Sequence, residues 1–355
     1  MTSIFNLMMD GVNILKENND RLVEFFKENH IQYRKYSQQK CYVLKMNQKN
    51  SLSQEWMRYF RGLVYNYEKQ MLLVCPPPKS EEVDFTVFQS MVNENKIQFT
   101  ELYDGTMINL FYNNDRWQLS SRSTIGCNNR WLQDMTYKEL FDETCTIDYD
   151  SLNKEHSYTF VLRNKKNRNI SPLLQDEIRL VQIFDTKNCV FIDLYDLGFT
   201  IPQQYTCTDS LESLTIYTKG YTFLFENKRY KWLTPQFKRM KEIKLNVNDK
   251  SILYLELRKN GNLKEYLSYF PEDNDIFSKT RDTFHDIKNE LYNSYLSIYV
   301  KKETLFKDAN YEYKPLIKDI HNIYRSTGYR IRGKQVEDYL HNLPSKKVKF
   351  VMNFR

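Results

Sequence analysis

A chain of 355 residues with 41% hydrophobic content is long enough for two domains, and this composition excludes a disordered polymer. Its 52 Lys and Arg against 45 Asp and Glu leave +7, which excludes nothing unless the charges cluster. No run approaches the length of a membrane span, MTSIFNLMMDGVNILKENND lacks the order of a secretion signal, and the six cysteines form no CxxC pair. The expectation is a soluble, cytoplasmic protein in reducing surroundings, with no membrane partner, zinc knuckle or disulfide framework. The 27 Tyr, 22 Phe and lone alanine, Ala309, reflect AT-rich coding rather than function.

From residue 4 to about 29, Phe5, Leu7, Met8, Val12, Leu15, Leu22, Phe25 and Phe26 recur at three- and four-residue steps, predicting an amphipathic helical lead with Gly11 as a break point. Strand-like runs follow at 42–47, 61–75, 106–122, 158–163, 178–185, 189–197 and 221–233, separated by Asn, Pro and charged turns. Past about 245 the texture becomes helical: Phe277, Phe284, Ile287, Leu291, Tyr295 and Ile298 mark one long helix, and Val336, Tyr339 and Leu340 mark another after Gly333. The reading is α+β, with a strand-rich domain over 1–245 and a helical domain over 246–355.

One stretch resists a plain hairpin reading. TELYDGTMINLFY (100–112) begins with Asp104-Gly105 where an alternating apolar residue would be ordinary. It resembles the K-x-D-G motif of the covalent nucleotidyltransferase superfamily, within its T4 RNA ligase 1-like branch. RYFRGLVYN (58–66), SSRSTIG (120–126), YTFVLRNKKNRNI (158–170), TKGYTFLF (218–225) and RYKWLTP (229–235) resemble further motifs of that family, in its order. The resemblance covers roughly residues 20–240. It implies an ATP-dependent ligase fold, with Arg61 reaching a triphosphate and Arg122 in the second motif, and it is common in large DNA viruses and phages.

The residues that such chemistry requires are altered. Lysyl-adenylate formation needs an amine at the α-phosphate, carboxylates for a divalent metal and cations for the triphosphate. The amine position holds Leu102, the third-motif carboxylate is Arg163, the fourth-motif acid is Lys219, and the second lysine of the fifth motif is Leu233. Arg61, Asp104, Gly105, Arg122 and Lys231 remain as a residual nucleotide or anion cleft. The expectation is therefore a catalytically degenerate, pseudoenzyme-like chain with no catalytic residue, metal or cofactor. One alternative is a divergent active RNA ligase using ATP and magnesium through a relocated lysine, for which Lys79 and Lys219 are candidates. A structural, virion-associated protein is another.

Two basic stretches suggest a partner. Arg163, Lys165, Lys166 and Arg168 form one; Lys228, Arg229, Lys231, Lys238 and Arg239 belong to the other, interleaved with Tyr230, Trp232 and Phe237. Cations with rings between them suit single-stranded RNA or another nucleic acid, with a protein partner as the alternative. Substitutions in the C-terminal helices are expected to leave such binding unchanged. The five histidines show no metal-ligand spacing.

Overall fold

A computed structural model describes residues 2–46, 54–130, 135–211, 215–226 and 228–354. The N-terminal helix α1 (Thr2–Glu17) runs through Gly11 without a break, and the chain bends instead at Asn18–Arg21 before α2 (Leu22–Glu28). Met8, Val12, Leu15, Leu22, Phe25 and Phe26 share one buried face, while the side chains of Phe5 and Leu7 lie outside the described residues. That face packs on the first sheet, an antiparallel meander of β1 (Ile31–Tyr36), β2 (Cys41–Met46), β3 (Arg61–Asn66) and β4 (Met71–Val74).

The chain then enters a third sheet before it builds the second. It passes through β5 (Ser80–Glu82), α3 (Phe85–Asn95) and β6 (Phe99–Leu102), then turns into the hairpin of β7 (Thr106–Asn113) and β8 (Arg116–Ser121). Asn114 and Asp115 both take positive φ there, the conformation a tight hairpin turn requires. Helix α4 (Tyr137–Thr144), capped at both Thr136 and Glu139, leads to β9 (His156–Arg163), β10 (Glu177–Asp185) and β11 (Val190–Ile192). The second sheet has the order β11-β10-β9-β7-β8 and buries Ile108, Leu110, Phe141, Phe160 and Leu180.

After β12 (Gln204–Tyr205), strands β13 (Gly220–Phe225) and β14 (Lys228–Leu233) complete the third sheet in the order β12-β6-β13-β14-β5. Its core is aromatic. Asp84 caps α3 by accepting from the Val87 N–H at 2.9 Å, and the helix lays Phe88, fully buried, against the rings of Phe99, Tyr221, Phe223 and Trp232.

The chain forms two compact units, 1–238 and 239–355, the division falling within α5 (Pro235–Lys244). The second is helical: α6 (Lys250–Lys259), α7 (Leu263–Tyr269), α8 (Asn274–Tyr295), α9 (Lys314–Thr327), α10 (Gly333–Asn342) and α11 (Ser345–Met352). Phe277, Phe284, Ile287 and Leu291 form the buried stripe of α8, and the chain continues from it into a π-helical turn, Leu296–Val300. No helix among the described residues is long and apolar enough to cross a membrane.

Candidate functional site

Asp104-Gly105 is a crossover between two sheets, because β6 belongs to the third sheet and β7 to the second. Buried Asp104 accepts from the backbone N–H groups of Ile170 at 2.7 Å and Ser171 at 3.0 Å, which fixes the loop after β9. Gly105 follows because a Cβ there would lie 2.5 Å from the Leu162 carbonyl oxygen. Any side chain would push β7 off β9. The dipeptide thus serves as a two-sided tether and goes beyond an ordinary turn.

Beside it opens a cleft of about 520 Å³. Arg61, Leu102, Tyr103, Gly105, Arg122, Lys219, Arg229 and Lys231 all line it, so segments far apart in sequence converge on one place. Gly62 makes part of this possible: at φ +101 its absent Cβ would sit 2.7 Å from the Arg122 Cα, so β3 passes close against the end of β8. The two guanidinium groups are brought together. Arg61 is pushed down to about 10, by burial first and Arg122 second. Arg229 is likewise pushed down to about 10, by burial first and Arg61 second. Among the described residues no carboxylate pairs with Arg61, Arg122 or Arg229. Glu101 also lines the cleft, its carboxyl raised by burial first and drawn back down by Arg179 and Arg163; the three guanidinium groups without an ion-pair partner repel one another and suit a polyanion.

Other cations in and near the cleft have acid partners. Lys219 places its Nζ 3.3 Å from the Asp104 Oδ1 and donates to the Tyr103 carbonyl at 3.3 Å. Burial pushes its ammonium below the usual lysine range, while Asp104 pulls the other way. Arg163 is 8% exposed and pairs with Glu177, which also binds Arg179 at 2.7 Å; Arg179 in turn stacks 4.3 Å over the Tyr103 ring. Across the third sheet, Leu102, Gly220 and Leu233 sit in one register row, with a leucine on either side of the glycine. Leu102 is half-buried and lines the open cleft without filling it. No cluster of three metal-ligating side chains occurs among the described residues.

The basic stretches fare unevenly. Lys166 pairs with Glu143 at 2.9 Å, the Lys165 N–H donates to Asp176, and Arg168 donates to the carbonyls of Ile170 and Ser171. Lys231 and Lys238 share Glu82 at 3.1 Å each, and Arg239 pairs with Glu265 at 2.6 Å. Glu55 feels the charge of Lys228. Alternation along β14 puts Arg229 and Lys231 on the cleft face, a signal legible in the sequence. Glu177, which holds Arg163, carried no such signal.

No family model and no curated protein matches this chain. Among solved structures, an archaeal ATP-dependent RNA ligase is 9% identical at a TM-score of 0.47, covering 93% of this chain and 98% of that one. A provisionally named ATP-dependent DNA ligase of Aquifex aeolicus is 14% identical at a TM-score of 0.40, covering 87% of this chain and 80% of its own. A Naegleria gruberi RNA ligase with pyrophosphate is 13% identical at 0.33, over 48% of this chain and 65% of that chain. At such scores the use of the cleft has to be read from its own residues.

Proposed function

We propose that this is a ligase-related protein that has kept the phosphate-holding side of a nucleotidyltransferase cleft and given up the covalent step, so that it binds a nucleotide phosphate chain without reacting with it. The observation that carries this reading is what lines one cleft: Arg61, Arg122 and Arg229, none with an ion-pair partner among the described residues, and Leu102, with no lone pair to donate. Bringing a triphosphate to the arginines relieves their mutual repulsion, and each charge-assisted bond to a guanidinium is among the stronger hydrogen bonds a protein makes. The divalent metal that adenylation calls for does not fit the described side chains: no three ligating groups come together among them, Glu177 is committed to Arg163 and Arg179 and Asp104 to Lys219 and two backbone donors, which leaves Glu101 as a single carboxylate.

The test is thermal stabilisation by ATP, inorganic tripolyphosphate and adenosine in parallel. The two phosphate ligands should raise the melting temperature and adenosine should not; Arg61→Gln should reduce both shifts. Equal stabilisation by adenosine, or none by any of the three, would overturn the reading.

A second reading has one specific observation behind it. Lys219 brings an amine to the cleft, next to the row holding Leu102, and burial lowers its proton affinity. In that case the Lys219 amine attacks the α-phosphorus of ATP, a P–N bond forms, the α–β bridging P–O bond breaks and pyrophosphate leaves. A nucleotide adduct that survives denaturation, increases with pH and disappears in Lys219→Arg would establish it.

A further inference from the structure

We infer that the segment Tyr324–Lys334 of the helical unit is a contact site for single-stranded nucleic acid. The argument begins with where the net charge lies. Residues 239–355 hold 23 Lys and Arg against 16 Asp and Glu, the whole excess of seven, whereas residues 1–238 hold 29 of each. The phosphate-attracting surplus therefore resides outside the unit that contains the cleft.

Within the helical unit one stretch concentrates it. YRSTGYRIRGK (324–334) has four basic residues and no acid, and Arg325, Arg330, Arg332 and Lys334 are all exposed. No ion pair involves any of the four among the described residues. On the adjoining helix α10, Glu337 is taken by Arg258, which leaves Asp338 as its other acid. The segment is also held in place. Gly328, at φ +70, ends α9 with its N–H donating to the Tyr324 carbonyl at 2.8 Å, and Ile331, 3% exposed, anchors the loop between Arg330 and Arg332.

The rings supply a second observation. Tyr324 is 43% exposed and Tyr329 is 76% exposed. Tyr324 continues a stack in which His321 lies on Tyr299 at 3.7 Å and 4°, with Tyr324 next at 5.9 Å and 29°. Tyr299 comes from the π-helical turn, a distortion often found at functional sites. Arg325 lies close enough to depress the His321 imidazole, after burial. An ordered ring ladder that ends at solvent beside guanidinium groups offers bases a face to stack on and phosphates a cation to meet, with little ordering left to do on binding.

This inference goes beyond the cleft reading, and its test separates the two. The full chain is titrated with a fluorescent 15-mer of oligouridylate over 50–300 mM salt, and far-UV circular dichroism verifies each variant's fold. In the variant carrying Arg325→Gln, Arg330→Gln, Arg332→Gln and Lys334→Gln, affinity should fall at least about tenfold and the salt slope by up to about 3, at about 0.7 per phosphate contact. In Tyr324→Leu with Tyr329→Leu, affinity should fall about tenfold with the slope unchanged, and the loss should vanish on a base-free deoxyribose-phosphate chain. Parent-like affinity and slope in the fourfold variant would overturn the inference. So would a parent that ignores the oligomer at 50 mM salt, or one that binds phosphatidylserine vesicles but not the oligomer. None of these outcomes alters the response of the cleft to tripolyphosphate.

Discussion

Replacing Arg229 with methionine should make the protein more stable and less able to hold a polyphosphate. A half-buried guanidinium with Arg61 beside it and no acid is disfavoured in the fold. Its fall from the ordinary value to about 10 corresponds to about 3 kcal/mol. Allowing for water that still reaches the group leaves about 1–2 kcal/mol to be recovered by a side chain of similar reach and no charge. The folded-state value lies below the unfolded one, so the charged form is penalised in full at every pH below about 10, and the penalty fades as pH rises from there to the ordinary arginine value. Calorimetry at pH 7 therefore samples the full effect. For a unit of this size the gain is about 3–6 °C in the first melting transition. Saturating tripolyphosphate at a hundredfold over its Kd would add about 2.7 kcal/mol to the parent, and distinctly less to the variant. A variant destabilised by more than about 1 kcal/mol, or stabilised with its ligand response intact, would refute the idea that the arginines are kept without an ion-pair partner for an anion.

Asp104→Ala should cost about 3–5 kcal/mol in urea unfolding, since it strands the Lys219 ammonium and two backbone donors; a loss under 1 kcal/mol would show that the tether is not structural. Phe88→Ala should cost about 3–5 kcal/mol and loosen the third sheet, to be read as faster amide exchange in β6 and β13. Leu102→Lys alone should yield no adenylate, because the new amine would share the cleft with Lys219, Arg61, Arg122 and Arg229 and the described residues bring no three metal-ligating side chains together; a labelled band would contradict that. Ellman's reagent should react first with the exposed Cys207 and more slowly with the half-buried Cys145, with burial holding Cys41, Cys75, Cys127 and Cys189 back until unfolding.

Much of the architecture could be read from periodicity where burial is one-sided. The stripe Phe277, Phe284, Ile287, Leu291 marked α8 because a single face meets the core. The strands β7 and β8 fall within the strand-like run read at 106–122, and the structure puts their turn at Asn114-Asp115. Helix α9, with Leu316, Ile317 and Ile320 buried, carried a comparable pattern that was not singled out, and α3 and α4 hide among aromatic strand-like runs. The site was half visible. Motif order pointed to Arg61, Asp104, Gly105, Arg122 and Lys231, which line or border one cleft, but spacing carries no information on pairing. Hence Glu82 under Lys231 and Lys238, Glu177 under Arg163, and Asp104 beside Lys219 emerged only in three dimensions.

The central claim is retention of phosphate binding without covalent chemistry, and one measurement addresses both halves. The chain is incubated with ATP labelled at the α-phosphate and with magnesium or manganese. One aliquot is read by equilibrium dialysis, and another after denaturation and gel electrophoresis. The account predicts label retained in dialysis, competed by tripolyphosphate, and none on the denatured chain. Label on the denatured chain, at Lys219 or any other lysine, or no retention in dialysis, would contradict it.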